Sequence, residues 1–234
     1  MKFIAILMSL LVSSCFSCAT LHGLTNTDPI KKAYQSVGRL SAISKDGKKG
    51  IFATGFAIDD KHIMSAAHFC ISAFEGSVKG QWDEKINIMF VYHNDLIELK
   101  KILEIELIEE KTDICILRGN PGLVPVEFVD NYSKVQIGDK IHTVGASLSL
   151  FPILSEGTIS VPKMDVGDGE RMLFASIHVS PGNSGGPVFS EDGKVIGMVL
   201  MQIVPVFVLS ADSPFCLAQR SDVLKRFAKM MEEE

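Results

Sequence analysis

Residues Ser180–Phe189 read SPGNSGGPVF, a serine set among glycines and followed at once by a proline and an apolar run. On composition alone this is a polar loop ahead of a strand, because Gly, Ser, Asn and Pro are the ordinary residues of loops. The same letters fit G-x-S-x-G, the strand-to-helix turn that lifts a nucleophilic serine above an α/β sheet. That reading needs a histidine after the serine and alternating strands and helices around it. The six histidines are His22, His62, His68, His93, His142 and His178, so none follows Ser184, and no βαβ rhythm is present. Any base for Ser184 must therefore come earlier in the chain, on a different fold.

Working outward, nearly every segment after Asp28 is a brief apolar run bounded by Gly, Asp, Asn or Pro, the punctuation of an all-β chain. Val37–Ile43, Ile51–Ile58 and His62–Ala66 read as strands, with Lys45-Asp46-Gly47 and Asp59-Asp60-Lys61 as turns. Ile86, Ile88, Phe90 and Tyr92 share one face, and Leu103, Ile105 and Leu107 alternate with Glu104 and Glu106, the two-residue rhythm of half-buried strands. Pro121–Phe128 (PGLVPVEF) has two prolines and no rhythm, which marks a seam between an N-terminal unit, 30–123, and a C-terminal unit, 124–234. Beyond it Lys140–Val144, Gly157–Val161, Met172–Val179, Pro187–Phe189 and Lys194–Met201 are further strands, with Glu191-Asp192-Gly193 as a hairpin turn. Helical spacing is confined to the tail, where Ser221 can cap and Val223, Leu224, Phe227, Met230 and Met231 recur on one face.

The chain has 234 residues and is 47% hydrophobic, enough for one large β domain or two small ones with a substantial core. Its 23 Lys+Arg against 28 Asp+Glu give a net charge of −5, and no basic block exists to displace counterions from a phosphate backbone, so nucleic acid is not an expected partner. At the start, Lys2 precedes an apolar stretch, Phe3–Val12, and then small residues, the layout of a secretory signal peptide, assigned to 1–19. The stretch is shorter than the roughly 18 apolar residues of a membrane helix. Two exits are legible. Ser17-Cys18-Ala19 suits ordinary cleavage, whereas Val12-Ser13-Ser14-Cys15 resembles the bacterial lipobox, whose cysteine becomes lipid-modified and tethers the mature protein. Either way the body is expected outside the cytoplasm, periplasmic or secreted, meeting a membrane only through Cys15. Beyond the leader, Cys70, Cys115 and Cys216 allow at most one disulfide, and they read as small buried hydrophobes. No C-x-x-C pair occurs there, and neither metal nor cofactor is expected.

A serine hydroxyl is a poor nucleophile until an oriented base takes its proton. His68 stands near the end of the segment HIMSAAHFC (62–70), where Ala66 and Ala67 permit close backbone approach. Asp113 sits in KTDICIL (111–117) beside the apolar Ile114 and Ile116; a carboxylate there is costly unless hydrogen-bonded, and an imidazole N–H offsets that cost. Singly, His68 reads first as a helix-start or core histidine, and Asp113 as a turn residue after the charge run Glu109–Lys111.

Taken together, ATGFAIDDKHIMSAAHF (53–69), KTDICIL and SPGNSGGPVFSEDGKVIGMV (180–199), in the order His68, Asp113, Ser184, resemble the chymotrypsin-like serine proteases, above all the bacterial HtrA-type peptidase domain. QIGDKIHTVGAS (136–147) and SEGTIS (155–160) are similar to that group too. The resemblance implies two six-stranded antiparallel β-barrels with the active site between them and a C-terminal helix. It also implies polypeptide substrates and an acyl-enzyme, with Ser184 as nucleophile, His68 as base then acid, and Asp113 fixing the imidazole tautomer. Charge developing on the attacked carbonyl needs fixed donors, here the backbone N–H groups of Gly182 and Ser184, while Gly185 and Gly186 let the chain pass close behind. Asn183 stands where digestive members carry an aspartate that pairs with a newly cut N-terminus; it cannot form that ion pair, so an oxyanion hole independent of propeptide cleavage is expected. Substrate is expected to add as a strand near Val199–Gln202. Met201 and Gln202 would flank the specificity pocket, and family correspondence places His178 and Ser180 near its floor, His178 either receiving an acidic or amide side chain or being merely packed or turned outward. No PDZ domain of the kind that often follows HtrA-type peptidases is expected in these residues. The rival reading is a catalytically silent binding module on the same fold.

Overall fold

The computed structural model describes residues 28–46, 50–81, 85–92, 95–119, 122–167, 170–202 and 214–233. The expected leader, with Cys15, lies outside the described residues, as do Gly47 and Pro121. Twelve strands are found: β1 (Val37–Ile43), β2 (Gly50–Ala57), β3 (His62–Ala66), β4 (Ile86–Tyr92), β5 (Asp95–Glu109) and β6 (Ile114–Arg118), then β7 (Lys140–Gly145), β8 (Ile153–Gly167), β9 (Glu170–Ile177), β10 (Pro187–Ser190), β11 (Val195–Gln202) and β12 (Phe215–Arg220). Neighbours run β1-β2-β3-β6-β5-β4 and β10-β11-β12-β9-β8-β7, each closing into a six-stranded antiparallel barrel. The fold is the one the family resemblance implies.

Side chains alternate across each strand, so a strand between a barrel lumen and the other barrel must be apolar on both faces. β3 and β6 show this directly. Ile63, Cys115 and Leu117 point into the first barrel with Leu40, Ile88 and Leu103, whereas Met64, Ile114 and Ile116 face a layer between the barrels. Phe56, Val144, Phe189, Val195, Met198 and Leu200 complete that layer. The second barrel is filled by Ile141, Ile159, Leu173, Ile177, Val188 and Val199. The linker is stitched to both sides, Val126 N–H donating to the Ala57 carbonyl at 2.9 Å and Val129 N–H to the Val195 carbonyl at 3.1 Å.

Several expectations need correction. Helix is not confined to the tail, since α1 (Pro29–Ser36) opens the described chain, capped by the Asp28 side chain on Ile30 N–H, and α2 (Ala67–Val78) follows β3 at once. In the terminal helix α3 (Ser221–Glu232) the cap position is the extended Arg220, so Ser221 lies inside the first turn with no capping bond. Leu224, Ala228 and Met231 of α3 are buried between the barrels while Met230 is exposed. β12 was not foreseen, because Cys216–Gln219 are all buried and show no alternation. Nor are the three thiols alike: Cys70 and Cys115 are joined in a disulfide, brought together because β3 and β6 pair with Ser65 opposite Cys115. Cys216 alone is free among the described residues, and burial pushes its thiol up to about 12.

Candidate active site

β3 ends at Ala66, in extended conformation, and α2 begins without a side-chain cap from its own N-terminus. Its first N–H groups go to Asp113 instead. Ala67 N–H donates to the Asp113 carbonyl at 3.1 Å and His68 N–H to Oδ1 at 2.8 Å, placing a carboxylate where the helix leaves its donors unsatisfied. The second carboxylate oxygen, Oδ2, lies 2.8 Å from His68 Nδ1. An ionised carboxylate only accepts, so in the neutral imidazole Nδ1 carries the proton and Nε2 keeps the lone pair. Asp113 reaches both groups from a left-handed turn, φ 53°, just before β6. Its side chain is 24% exposed and that of His68 50%, a sheltered carboxylate beside an open imidazole.

The serine turn is built from backbone. Gly182 has φ 101°, and the Pro181 carbonyl before it accepts from Leu148 N–H at 2.8 Å. In a planar trans peptide the C=O and N–H point oppositely, so this bond aims Gly182 N–H away from the loop. The Asn183 carbonyl accepts from Gly186 N–H at 2.9 Å and orients Ser184 N–H in the same manner. Neither N–H has a partner among the described residues. Gly185, φ 81°, closes the fit: a Cβ there would lie 2.3 Å from Ser65 Oγ and 2.7 Å from Ala66 N, two residues before His68. Only glycine lets the turn press so near the end of β3. The Ser184 hydroxyl donates to the Leu200 carbonyl at 3.2 Å, and no hydrogen bond joins it to His68 among the described residues. Asn183 is buried and makes no ion pair there, its N–H donating to the Ser180 carbonyl at 3.0 Å.

Of the expected pocket residues, His178 is exposed just after β9, and Met201 is exposed near the end of β11. The Ser180 hydroxyl is in close contact with that of Ser147, and Gln202 stands opposite Cys216 of β12. β11 is no outer strand, being paired with both β10 and β12, yet its β10 pairing ends at Met198. Leu200–Gln202 run past that last partner, beside Ser184. Sequence reading missed Leu148, whose apolar side chain gives no sign that its N–H matters, and Thr54, a lone hydroxyl in the apolar run IFATGFAI.

The family model described as "Trypsin-like peptidase domain" matches residues 53–198. Among curated proteins the chain is 28% identical over 148 residues to a "Probable periplasmic serine endoprotease DegP-like" of Halomonas elongata, covering 62% of this chain and 28% of that protein. A protein of the same description from Brucella suis is 36% identical over 95 residues, covering 38% and 18%. The chain thus spans less than a third of these relatives' length. Among solved structures, that of Deg5 is similar at TM-score 0.67 and 19% identity, covering 86% of this chain and 90% of that one. An HtrA-type protease solved with a tripeptide is similar at TM-score 0.63 and 15% identity, covering 87% and 62%.

Proposed function

This chain belongs to the trypsin-like peptidase domain family, and we propose on that premise that it is an extracytoplasmic serine endopeptidase acting through an acyl-enzyme. The observation that carries the reading is the Asp113–His68 pair on one barrel beside a Ser184 turn that leaves two N–H groups unpaired. Ser184 attacks the scissile carbonyl as His68 Nε2 takes its proton; the imidazolium so formed is stabilised by Asp113, and Gly182 and Ser184 N–H hold the oxyanion. His68 then gives the proton to the leaving amine, and the ester left on Ser184 is hydrolysed by water through the same groups. The Ser184 hydroxyl exchanges its bond to the Leu200 carbonyl for one to His68 when substrate is bound, since catalytic hydrogen bonds tighten in the complex. The substrate backbone pairs along Leu200–Gln202, with Met201, Gln202, His178 and Ser180 around the pocket for the residue preceding the cleaved bond. The segments 30–123 and 124–234 act as the two catalytic lobes.

The amino-terminal layout, together with the periplasmic description of the relatives, supports export. Cys15 is the lipid attachment point if the lipobox is used, and Cys15→Ala should then move the protein from the membrane to the soluble fraction. The function itself is tested by fluorophosphonate labelling of wild type, Ser184→Ala and His68→Ala. Label on wild type alone is expected. Label that persists on Ser184→Ala rejects the nucleophile, and an unlabelled, folded wild type favours a silent binding module.

A further inference from the structure

Thr54 of β2 is fully buried, and its polar groups serve the serine turn of the opposite barrel. Its N–H donates to the Ser184 carbonyl at 2.9 Å. Its hydroxyl donates to the Gly182 carbonyl at 2.7 Å and accepts from Ala146 N–H at 3.0 Å. Its own carbonyl accepts from the Ser65 hydroxyl at 2.8 Å, which ties it to β3. The two residues whose carbonyls Thr54 holds are therefore the two whose N–H groups stand unpaired. Ala146 also begins the turn carrying Leu148, and Leu148 N–H is what fixes the Pro181 carbonyl. On β1, directly across from Thr54, Arg39 donates from Nη1 to the Ser149 carbonyl at 3.0 Å while its guanidinium lies 5.4 Å from the Phe52 ring centre. The same turn is thus gripped at Ala146 and again at Ser149.

We propose that Thr54, assisted by Arg39, is a positioning residue that sets the oxyanion donors of one barrel from the other. The inference rests on the peptidase reading above. Without the Thr54 hydroxyl, the part-buried Gly182 carbonyl and the buried Ala146 N–H are left unpaired. The Leu148 turn then loosens its hold on Pro181, and rotation of the Pro181–Gly182 peptide would put a carbonyl where the N–H donor stood. A carbonyl there repels the developing oxyanion, so the effect belongs to the transition state and not to substrate binding.

The test compares Thr54→Val, which keeps the shape and removes the hydroxyl, with Thr54→Ser, Arg39→Met and wild type. The rate of fluorophosphonate labelling reads the oxyanion site, because the adduct on Ser184 places an oxygen there. Affinity for fluorescein-labelled casein, measured in a Ser184→Ala background, reads the ground state. Thr54→Val should slow labelling on the order of 10²-fold, the worth of one oxyanion donor, with casein affinity unchanged. Thr54→Ser should restore the rate to within about threefold, and Arg39→Met should slow it about tenfold. Labelling of Thr54→Val at the wild-type rate overturns the proposal, as does an equal loss in Thr54→Ser. Should Thr54→Val fail to fold by circular dichroism, the rate of the part-buried Arg39→Met decides by the same criterion. A wild type that takes no label overturns the peptidase reading and this inference with it.

Discussion

His68 and Asp113 stand on the first barrel, where a carboxylate caps α2 and the Cys70–Cys115 disulfide joins that helix to β6 two residues beyond each of them. Ser184 stands on the second, in a turn shaped by Gly182 and Gly185 and by carbonyls pinned to N–H groups. One half of the site is held by its own side chains and a covalent bond, the other by its own backbone conformation, with Thr54 and Arg39 gripping it from the opposite barrel. The halves should therefore fail differently. Within its own segment, the first should break when a side chain changes its chemistry, and the second when a side chain is added at all.

The largest effect expected is from Asp113→Asn. The amide oxygen can still accept His68 N–H, but the NH₂ then faces Nδ1 and selects the tautomer in which Nε2 carries the proton and cannot act as base. Turnover should fall about 10⁴-fold with KM little changed, measured on a fluorogenic peptide, since loss of the orienting carboxylate has that magnitude in the general triad. A loss of tenfold or less would mean that the carboxylate serves only as the helix cap.

Removing the disulfide with Cys70→Ala and Cys115→Ala separates the covalent brace from the hydrogen-bonded one. Its loop spans 45 residues, and the chain-entropy estimate for such a loop is about 4 kcal/mol of stability, read from urea unfolding. Activity of the folded fraction should stay near wild type, because the Asp113 bonds to Ala67 and His68 remain. If turnover fell with stability, the first half would depend on its covalent bond more than on its carboxylate.

Gly182→Ala tests the backbone-built half. At φ 101° a Cβ would lie 2.1 Å from the Ala146 carbonyl oxygen, so the turn must shift and its N–H with it. The expected loss is that of one oxyanion donor, about 2.7–4 kcal/mol in the barrier, seen as slower turnover with KM little changed. A wild-type rate would show that the turn has slack the two pinned carbonyls do not suggest.

The same contrast explains what could be read in advance. The serine turn was legible because glycine and asparagine in a short stretch encode a local conformation, and the barrel strands because alternation is a local pattern. Asp113 was recognisable only in company with His68 and Ser184, since nothing nearby announces a left-handed aspartate capping a helix 45 residues away. Thr54 was silent for the same reason, its hydroxyl meeting a carbonyl 128 residues on. α2 escaped because it buries Ala67, Phe69, Cys70, Ala73 and Gly76, mostly small residues that leave little contrast between faces. The disulfide escaped because strand register, not spacing, brings its cysteines together.

The smallest effect expected concerns acid, where the barrels differ again. His142 of β7 stacks on Phe189 of β10 with ring centres 5.3 Å apart, and its Nε2 is buried without a hydrogen-bond partner. Burial lowers its pKa, which Glu156 and Asp28 raise without overcoming it. Above about pH 6.5 the ring is neutral in both folded and unfolded chains and adds no pH dependence. As pH falls below that value the unfolded chain binds a proton that the folded one refuses, so stability is lost until the depressed folded pKa is passed. In the first barrel, partial burial of Asp59 works to raise its pKa, but hydrogen bonds from His62 and Lys61 outweigh it and hold the carboxyl below its ordinary range. By the same sign rule its contribution is complete above about pH 4 and lost only on further acidification. Between pH 7 and 5, hydrogen-exchange protection factors, which allow for the slower intrinsic exchange in acid, should therefore fall at β7 and β10 while the β2–β3 hairpin keeps its protection, and His142→Phe should remove the difference. A fall in protection at both barrels alike, or its persistence in His142→Phe, would place the acid-sensitive group elsewhere than this histidine.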